Sequence, residues 1–257
     1  MRRPKGPPGN CSVRYGRAWR QAWRAMDRAE FDAIAADYRQ QHAASIRLSG
    51  EGPDYFAEYK IADVAGGLAD IGIAPSEILD FGCGIGESLP FLHRHFPAAR
   101  LSGVDVSGDS LALAAERFGT MASLTRYDGE RLPFADASFD LVFTACVFHH
   151  IPPADHARLL KEIHRVLRPS GHFFLFEHNP WNPATRHAVA NCPFDANAIL
   201  ISAPDMKQRM AEAGFPAVRY RYRLFFPHLL RWLRPLERQL TWLPLGAQYF
   251  CWSRGAA

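Results

Sequence analysis

Residues 77–86 read EILDFGCGIG, an apolar run of the β type that carries an acid near its end, Asp80, and continues into three alternating glycines. Glycine has no Cβ, so backbone amides in such a bend can approach a bound molecule closely. The next apolar run, residues 101–104, ends at a second acid, Asp105, nineteen residues after Gly86. A carboxylate at that offset accepts hydrogen bonds from ribose hydroxyls. The two acids and the glycine bend therefore predict a site for a nucleoside cofactor.

The spacing of the glycines disfavours a nicotinamide dinucleotide. The dinucleotide fingerprint needs a further glycine at position 87, with a helix N-terminus facing a pyrophosphate, and this chain has Glu87 there. A carboxylate at that place repels phosphate. Asp80 favours instead a cationic ligand without phosphate, one that carries an ammonium and a sulfonium. S-adenosylmethionine fits this description.

Four segments of the chain resemble, in order, the motifs of the class I S-adenosylmethionine-dependent methyltransferases. The resemblance is close over roughly residues 55–180 and loose elsewhere. Any one match is weak, whereas four in the family's order are a strong signal. The matching segments are DFGCGIG at 80–86, GVDVS at 103–107, YDGERLPF at 127–134 with FDLV at 139–142, and LKEIHRVLRPSG at 160–171.

Strands and helices alternate from residue 77 onward, which predicts an α/β fold with a parallel sheet and helices on both faces. The resemblance implies the family's Rossmann-like, seven-stranded, mostly parallel sheet, here with N-terminal helices and a C-terminal insertion before the last strand. Strands are predicted at residues 77–81, 100–105, 122–127, 139–145, 172–178, 217–224 and 246–253. Helices are predicted at residues 31–38, 55–68, 86–96, 108–118, 154–167 and 204–213, with a turn at 169–171.

The chain has 257 residues, of which 48% are hydrophobic, and this is enough for one α/β domain with a sizeable core. We assign residues 27–257 to one methyltransferase domain. Its N-terminal cap helices are expected within residues 27–75, where they cover the cofactor. The segments 179–203 and 225–245 are candidate insertions that form the acceptor site, since loops after the strands of such sheets commonly bind substrate.

The formal net charge of +4 is distributed unevenly. Residues 1–26 contain seven Lys or Arg and no acid, residues 27–204 have a net charge of −9, and residues 205–257 have a net charge of +6. We interpret residues 1–26 as a basic, disordered extension. An Arg-rich transit-like peptide and an upstream extension before a start at Met26 are the other readings, and a dispensable extension is favoured.

The resemblance also implies which residues bind the cofactor. The glycine bend contacts the methionine part, Asp80 helps to hold its ammonium, and Asp105 accepts both ribose hydroxyls. Asp128 is expected near the adenine amino group, against the alternative of a turn-forming Asp-Gly pair. The predicted cofactor-binding residues are Asp80, Gly82, Cys83, Gly84, Gly86, Asp105, Val106, Asp128, Gly129 and Ala145.

The loop after the fourth strand, residues 144–152, brings His149 and His150 beside the expected position of the sulfonium. Methyl transfer is a displacement on an activated carbon, so positioning and desolvation provide most of the rate and no protein nucleophile is required. A base is required only for an acceptor that arrives protonated. His149 and His150 are therefore candidate general bases, with structural loop histidines as the alternative. Glu177-His178 is a candidate for positioning the acceptor.

Neither a metal site nor a nucleic-acid acceptor is predicted. His93 and His95 lie two residues apart on a helix and point away from each other, and His149-His150 lacks a helical partner at four-residue spacing. DNA methyltransferases that act on amino groups carry an Asn/Asp-Pro-Pro-aromatic run after the fourth strand. In this chain residues 146–149 read CVFH instead.

Residues 225–243 have an amphipathic helical pattern with arginines on the face opposite the apolar positions. Three readings remain open: a helix packed on the sheet with its arginines solvated, a lid walled by Trp232 and Trp242, and contact with a membrane surface. Pro235 interrupts a continuous helix in each of them. The apolar positions are 229, 232, 233, 236, 240 and 243.

Cysteine usage and hydropathy predict a cytoplasmic location. The five cysteines are widely spread, which indicates neither a disulfide framework nor a zinc knuckle, and no apolar run approaches the length of a membrane span. The cysteines are Cys11, Cys83, Cys146, Cys192 and Cys251.

The sequence thus predicts S-adenosylmethionine-dependent methyl transfer to a small-molecule acceptor, with an oxygen of an apolar or lipid-like metabolite as the favoured acceptor atom. The first rival is a catalytically inactive scaffold that binds the cofactor, and the second is an NAD(P)-dependent oxidoreductase. The sequence leaves the acceptor and the oligomeric state open.

Overall fold

The structure is a computed structural model that describes residues 38–255. The predicted extension 1–26, the helix predicted from residue 31 and the first part of the cap region 27–75 therefore lie outside the described residues. The strands are β1 Glu77–Phe81, β2 Arg100–Asp105, β3 Ala122–Arg126, β4 Phe139–Ala145, β5 Leu167–His178, β6 Arg219–Arg223 and β7 Gln248–Arg254. The α-helices are α1 Tyr38–Ser45, α2 Pro53–Ala69, α3 Leu89–His95, α4 Gly108–Phe118, α5 Pro153–Val166, α6 Pro183–Ala190, α7 Ala203–Glu212 and α8 Glu237–Leu240. Short 3₁₀ helices lie at Arg47–Ser49, Phe148–His150, Pro193–Asp195 and His228–Leu236.

All seven strands form one sheet in the order β3-β2-β1-β4-β5-β7-β6. Strands β1 to β5 pair in parallel, and β7 lies antiparallel between β5 and β6. The predicted seven-stranded, mostly parallel sheet is therefore confirmed. The chain order reverses between β1 and β4, and in open α/β sheets ligands bind at such a switch point, outside the carboxyl ends of the strands.

Apolar side chains of the strands pack on helices at both faces of the sheet. On one face the buried Ile61, Val64 and Leu68 of α2 cover the sheet, and on the other Leu160 and Ile163 of α5 do so. Both faces are buried because parallel strands connected by helices are covered on each side. The carboxyl edge of the sheet is left for the loops that build the site.

The helix after the glycine bend is shorter than predicted. Residues 86–96 were predicted to be helical, but α3 begins at Leu89. Gly84 and Gly86 have φ of +51° and +80°, a left-handed conformation that extends the turn past the predicted helix start.

The turn predicted at residues 169–171 is part of β5. This strand starts at Leu167, and its register against β4 shifts between Phe139 and Leu141, where Leu167 and His172 are the respective partners. The residues between those two partners form an irregular bulge, so the turn chemistry of Pro169 and Gly171 is accommodated without ending the strand.

Two further segments differ from the sequence pattern. Residues 179–203 show no clear periodicity, yet they contain α6 and the 3₁₀ helix Pro193–Asp195. The amphipathic segment 225–243 is not one α-helix but the 3₁₀ helix His228–Leu236 followed by the single turn α8, with Pro235 at the change.

No helix within residues 38–255 has the length and apolar character needed to cross a bilayer.

Candidate active site

A cavity of about 240 Å³ lies at the carboxyl ends of β1, β2 and β4. The loops after these strands form its floor, and α2 and the 3₁₀ helix Pro193–Asp195 contribute to its walls. Eleven of the twelve predicted site residues line this one space. They are Asp80, Gly82, Cys83, Gly84, Asp105, Val106, Asp128, Gly129, Ala145, His149 and His150.

Gly86 is the exception, because it faces the protein interior and not the cavity. A Cβ at Gly86 would lie 2.9 Å from the Cδ2 atom of Phe118 and 3.2 Å from the Cβ atom of Ala114. Its φ of +80° is also left-handed. Glycine at this position therefore allows the turn and the close packing of α4. Gly86 does not line the cavity in which the cofactor is predicted to bind.

The other two glycines of the bend differ in what surrounds them. A Cβ at Gly82 would lie 2.5 Å from the Cγ2 atom of Val147, which leaves no room for a side chain. A Cβ at Gly84 would have no heavy atom within 4 Å, although Gly84 lines the cavity. Open space therefore adjoins the backbone at Gly84, as a ligand in contact with this backbone requires.

Asp105 connects the glycine bend to the turn after β2. Its Oδ2 atom accepts a hydrogen bond of 2.8 Å from the Gly84 amide, and its Oδ1 atom accepts one of 2.9 Å from the Ser107 amide. The carboxylate is therefore held in place by backbone amides, at a position that lines the cavity.

Asp80 is a buried acid at the end of β1. The side chain is 3% exposed, and its Oδ2 atom has no hydrogen-bond partner. Burial and the nearby Asp105 carboxylate raise the pKa of Asp80 to about 8. Such a group is stabilised in its charged form only when a cation comes close to it.

Glu177 of β5 fixes the orientation of His149, which lines the cavity. Both are 1% exposed, and the Nδ1 atom of His149 lies 2.6 Å from the Oε2 atom of Glu177. The other oxygen of Glu177 accepts hydrogen bonds from the amides of Phe148 and His149, at 2.7 and 3.3 Å. Burial raises the pKa of Glu177, but the positive charge on His149 outweighs it and the pKa is lowered. Glu177 is therefore a carboxylate, and Nδ1 of His149 carries the proton.

Asp195 brings a second carboxylate to the loop after β4, residues 144–152, which we call the histidine loop. Its Oδ1 atom lies 3.4 Å from the Nε2 atom of His149 and 3.4 Å from that of His150. Burial lowers the pKa of His149, but Glu177 and Asp195 together raise it to about 10. Burial and the neighbouring His149 lower the pKa of His150 to about 3. The two predicted bases therefore differ strongly in proton affinity.

The glycine bend and the two acids belong to a domain with known relatives. The family model described as "Methyltransferase domain" matches residues 78–171. The chain is also 31% identical over 160 residues to an uncharacterized methyltransferase of Synechocystis sp., and this alignment covers 59% of the chain and 73% of that protein. The chain belongs to the S-adenosylmethionine-dependent methyltransferases.

This methyltransferase is also similar to proteins whose names state an acceptor. It is 34% identical over 160 residues to malonyl-[acyl-carrier protein] O-methyltransferase of Dechloromonas aromatica, which covers 60% of the chain and 56% of that protein. It spans about half the length of the first curated relatives it matches, 56% and 53%. A solved S-adenosylmethionine-dependent methyltransferase of Thermotoga maritima superposes on it with a TM-score of 0.62 at 18% identity, over 89% of this chain and 99% of that one. That likeness shows the fold.

The predicted class I family and its cofactor are thus confirmed, and the NAD(P) oxidoreductase is overturned. The cavity of this methyltransferase fits S-adenosylmethionine on three observations. Open space adjoins Gly84, the buried Asp80 lacks a partner for one oxygen, and backbone amides hold the Asp105 carboxylate in the cavity lining. The roles given to individual residues in holding the cofactor stay predictions.

Lys60, Gln248 and Asp195 are among the residues of the methyltransferase cavity that sequence reasoning missed. Lys60 of α2 is buried against it and donates a 2.8 Å hydrogen bond to the carbonyl oxygen of Phe56, and burial lowers the pKa of Lys60. Gln248 of β7 accepts a hydrogen bond from Tyr59 and lines the cavity. Asp195 lies in the segment 179–203 that the sequence marked as a candidate acceptor insertion, and that was its one signal.

Proposed function

We propose that this methyltransferase transfers a methyl group to a carboxylate oxygen of an apolar, acyl-type small molecule. The observation that carries this proposal is the histidine centre, which we define as His149, His150 and Asp195. It places positive charge on a buried imidazole in a cavity whose other walls are largely apolar. The apolar wall residues include Pro53, Phe56, Ala57, Ile151, Leu159 and Phe194.

The proton affinities of the histidines favour an acceptor that arrives already ionised. A general base is efficient when its pKa lies near the working pH. His149, with a pKa of about 10, holds its proton at neutral pH, and His150 is a weak base with a pKa of about 3. Burial and the charge on His149 lower the pKa of the neighbouring His178 to about 4. A carboxylate acceptor requires none of them as a base.

The transfer itself is a single displacement. When bound, S-adenosylmethionine supplies a methyl group on a positively charged sulfur, and the carbon–sulfur bond breaks as a carboxylate oxygen forms the new carbon–oxygen bond. The electron pair of the broken bond stays on sulfur, and no proton has to leave the acceptor. The protein contributes by orienting the two reactants and excluding water. The buried loop Phe148–His150 and the walls from α2 have these tasks in our proposal.

The similarity to an O-methyltransferase that acts on an acyl group supports this choice of acceptor. Because the alignment covers 56% of that protein, the acceptor does not transfer by similarity alone. The test is a panel of acceptors with one chain length and different head groups: a fatty acid, the matching alcohol and the matching amine, each with isotopically labelled S-adenosylmethionine. Mass spectrometry of the products is expected to show a labelled methyl ester.

Three outcomes of the panel would contradict the proposal. A labelled ether from the alcohol in place of the ester would support the predicted general base, because an alcohol must lose a proton. A labelled methylamine product would show that the acceptor atom is nitrogen. Binding of S-adenosylmethionine without turnover of any acceptor would favour the inactive scaffold. The Asp105→Ala variant is the matched control, since it removes the predicted ribose contact and leaves the histidine centre in place.

We also propose that the surface formed by residues 228–245 contacts an anionic lipid surface from which the acceptor is taken. One arginine and two tryptophans of this segment lie opposite to where a helix packed on the sheet would place them. Arg234 points inward, with its Nη2 atom 2.6 Å from Glu51 Oε1 and its guanidinium 4.6 Å from the centre of the Tyr55 ring. Trp232 and Trp242 point outward and are each 72% exposed.

Charge complementarity supports lipid as the occupant of this surface. Arg231 and Arg238 are exposed on the same segment, and residues 205–257 have a net charge of +6. Basic side chains beside Trp and Leu are typical of segments that lie in a membrane interface. The exposed apolar residues of the segment are Leu229, Leu230, Trp232, Leu236, Trp242 and Leu245.

Vesicle sedimentation tests the membrane contact. Vesicles of phosphatidylglycerol and phosphatidylcholine should bind the protein, and the double variant Trp232→Ser, Trp242→Ser should bind about tenfold more weakly, since 1.4 kcal/mol of lost apolar burial corresponds to that factor. Ile71→Ser is the control, because Ile71 is 56% exposed in the turn after α2. Equal binding of both variants, or no binding of the unaltered protein, would contradict this proposal.

A further inference from the structure

Three atoms with lone pairs converge in the histidine centre. Nδ1 of His149 donates its proton to Glu177, and Nε2 has no hydrogen-bond partner in a side chain that is 1% exposed. A metal cation at Nε2 would displace the second ring proton of His149 and bind the lone pair that the proton leaves. It faces the Oδ1 atom of Asp195, 3.4 Å away. The Nε2 atom of His150 lies 3.4 Å from the same oxygen, and the three atoms are all within 4.8 Å of one another. Three lone pairs directed at one another repel, so this arrangement is stable only with a positive charge between the three atoms.

The spacing of these atoms matches a metal-coordination geometry. Histidine nitrogens and carboxylate oxygens lie about 2.0–2.2 Å from zinc, so two of them at a tetrahedral angle are about 3.4 Å apart. Both nitrogen–oxygen distances in the centre are 3.4 Å. A direct N–H···O hydrogen bond has a shorter separation of about 2.9 Å. The distances therefore fit ligands around a cation better than a proton shared between His149 and Asp195.

The surroundings of His149 are those of a metal ligand. Metal-binding histidines usually donate their second ring nitrogen to a carboxylate, which fixes the ring and increases its basicity. Glu177 accepts this hydrogen bond at 2.6 Å and is itself held by two backbone amides. Two imidazoles and one carboxylate are a donor set that suits zinc and its neighbours, whereas magnesium and calcium prefer oxygen ligands.

We propose that His149, His150 and Asp195 bind a divalent cation of the zinc type, with a further coordination position open to the cavity. His149 lies in the loop after β4, and Asp195 ends the 3₁₀ helix Pro193–Asp195, so the fold joins ligands 46 residues apart in the chain. Catalytic zinc sites have three protein ligands and one open position, and this centre has the same number. The rule of helical spacing, on which the prediction of no metal rested, does not detect ligands from separate loops.

The task of the cation rests on the proposed function. In that setting the open position takes one oxygen of the acceptor carboxylate, and the second oxygen is left for the methyl group. The cation thereby orients the acceptor relative to the cofactor side of the cavity, in which Asp80 and Asp105 also lie. Binding of the cation itself depends only on the protein, so it is measured without acceptor or cofactor.

The experiment uses the full chain without a histidine tag, treated with a chelator and dialysed. Cobalt(II) is the spectroscopic probe and zinc(II) the second ion, measured by equilibrium dialysis and elemental analysis. We expect one ion per chain and a visible cobalt absorption band of tetrahedral or five-coordinate type. Asp195→Asn and His150→Gln should each lower the affinity by about 100-fold or more, and Glu177→Gln by about 10- to 100-fold. His187→Ala, on the exposed face of α6, is the control and should bind as the unaltered protein does.

Several results would overturn the site. If the unaltered protein binds no ion, a proton and not a metal occupies the centre. If Asp195→Asn binds the ion with unchanged affinity, Asp195 is not a ligand. A thiolate-to-cobalt band would assign the ion to a cysteine such as Cys146 or Cys192 of the cavity wall. Affinity for S-adenosylmethionine within about twofold of the unaltered protein shows that a variant is folded. A negative acceptor panel with an intact cobalt spectrum contradicts the carboxylate acceptor and leaves the metal site standing.

Discussion

The side of the cavity to which we assign the cofactor and the side to which we assign the acceptor, called the cofactor side and the acceptor side, are built in different ways. The cofactor side consists mainly of backbone: the glycine bend after β1 and the turn after β2, tied together by Asp105. The acceptor side consists of side chains from separate segments, namely Lys60 of α2, the histidine loop and Asp195, with Glu177 of β5 behind His149. The first side depends on local conformation, and the second depends on the tertiary fold.

This difference separates the expected effects of substitutions. Changes on the cofactor side should weaken S-adenosylmethionine binding because they alter backbone space or a fixed carboxylate. Changes on the acceptor side should leave that binding intact and reduce turnover, because they alter only the orientation or charge of side chains. A variant that affects both quantities equally would contradict the division.

The largest effect is expected for Gly84→Val. Gly84 has a φ of +51° and adjoins open cavity space, so a branched side chain is strained and also fills the space of the ligand. The affinity for S-adenosylmethionine, measured by calorimetry, should fall by about 100-fold or more. Gly72→Val is the matched control, because Gly72 has a φ of +69° and free space around its Cβ but does not line the cavity. Equal losses in both variants would show that backbone strain alone is responsible.

Glu177→Gln should have the next largest effect and should act on turnover. An amide at this position donates as well as accepts, so it no longer fixes the proton on Nδ1 of His149. We expect turnover to fall by about 10- to 100-fold, in line with the loss of a carboxylate that orients a functional histidine. The affinity for S-adenosylmethionine should change by less than about twofold. Unchanged turnover would remove the histidine centre from the reaction.

Asp105→Asn tests the carboxylate that joins the two turns of the cofactor side. Hydrogen bonds to a charged acceptor contribute about 1.5–3 kcal/mol, so the affinity for S-adenosylmethionine should fall by about 10- to 100-fold. Turnover at saturating cofactor should stay close to that of the unaltered protein. A loss confined to turnover would contradict the assignment of Asp105 to the ribose.

The smallest effect concerns the stability of the cofactor-free protein. Asp80 has a pKa of about 8 in the folded state and an ordinary carboxyl pKa of about 3.9 when unfolded. Between these values the folded protein holds a proton that the unfolded chain has released, so the free energy of unfolding decreases as the pH rises towards 8. Asp80→Asn should remove about 1–3 kcal/mol of this decrease between pH 6 and 8. Thermal unfolding at both pH values measures it, and parallel curves for the two proteins would contradict the buried, unpaired state of Asp80.

The sequence was sufficient to predict those parts of the structure in which a single position requires a particular residue type. Gly82 and Gly84 need a left-handed backbone or an absent Cβ, and Asp105 must follow an apolar strand. Each of these requirements can be recognised from the residue type at that position. The order of strands follows from their alternation with helices, which few topologies satisfy. These features allowed the sheet and the cofactor side to be predicted.

The remaining features depend on contacts between distant segments. Asp195 becomes part of the site only because the fold packs the 3₁₀ helix Pro193–Asp195 against the histidine loop, and no spacing in the chain indicates this. Gly86 packs against Phe118 and does not line the cavity, a distinction that the sequence does not show because a cavity glycine and a packing glycine look alike there. In residues 228–243, Trp232 is exposed while Arg234 is held inward by Glu51, a partner located 183 residues earlier.

The crystal structure of the complex with S-adenosylhomocysteine tests the two-sided cavity most directly. We predict that the ribose hydroxyls lie within hydrogen-bond distance of Asp105, that the amino group lies near Asp80, and that the sulfur faces the side of the cavity formed by His149 and His150. A ligand bound with its ribose away from Asp105, or with its sulfur directed away from the histidine centre, would contradict this account.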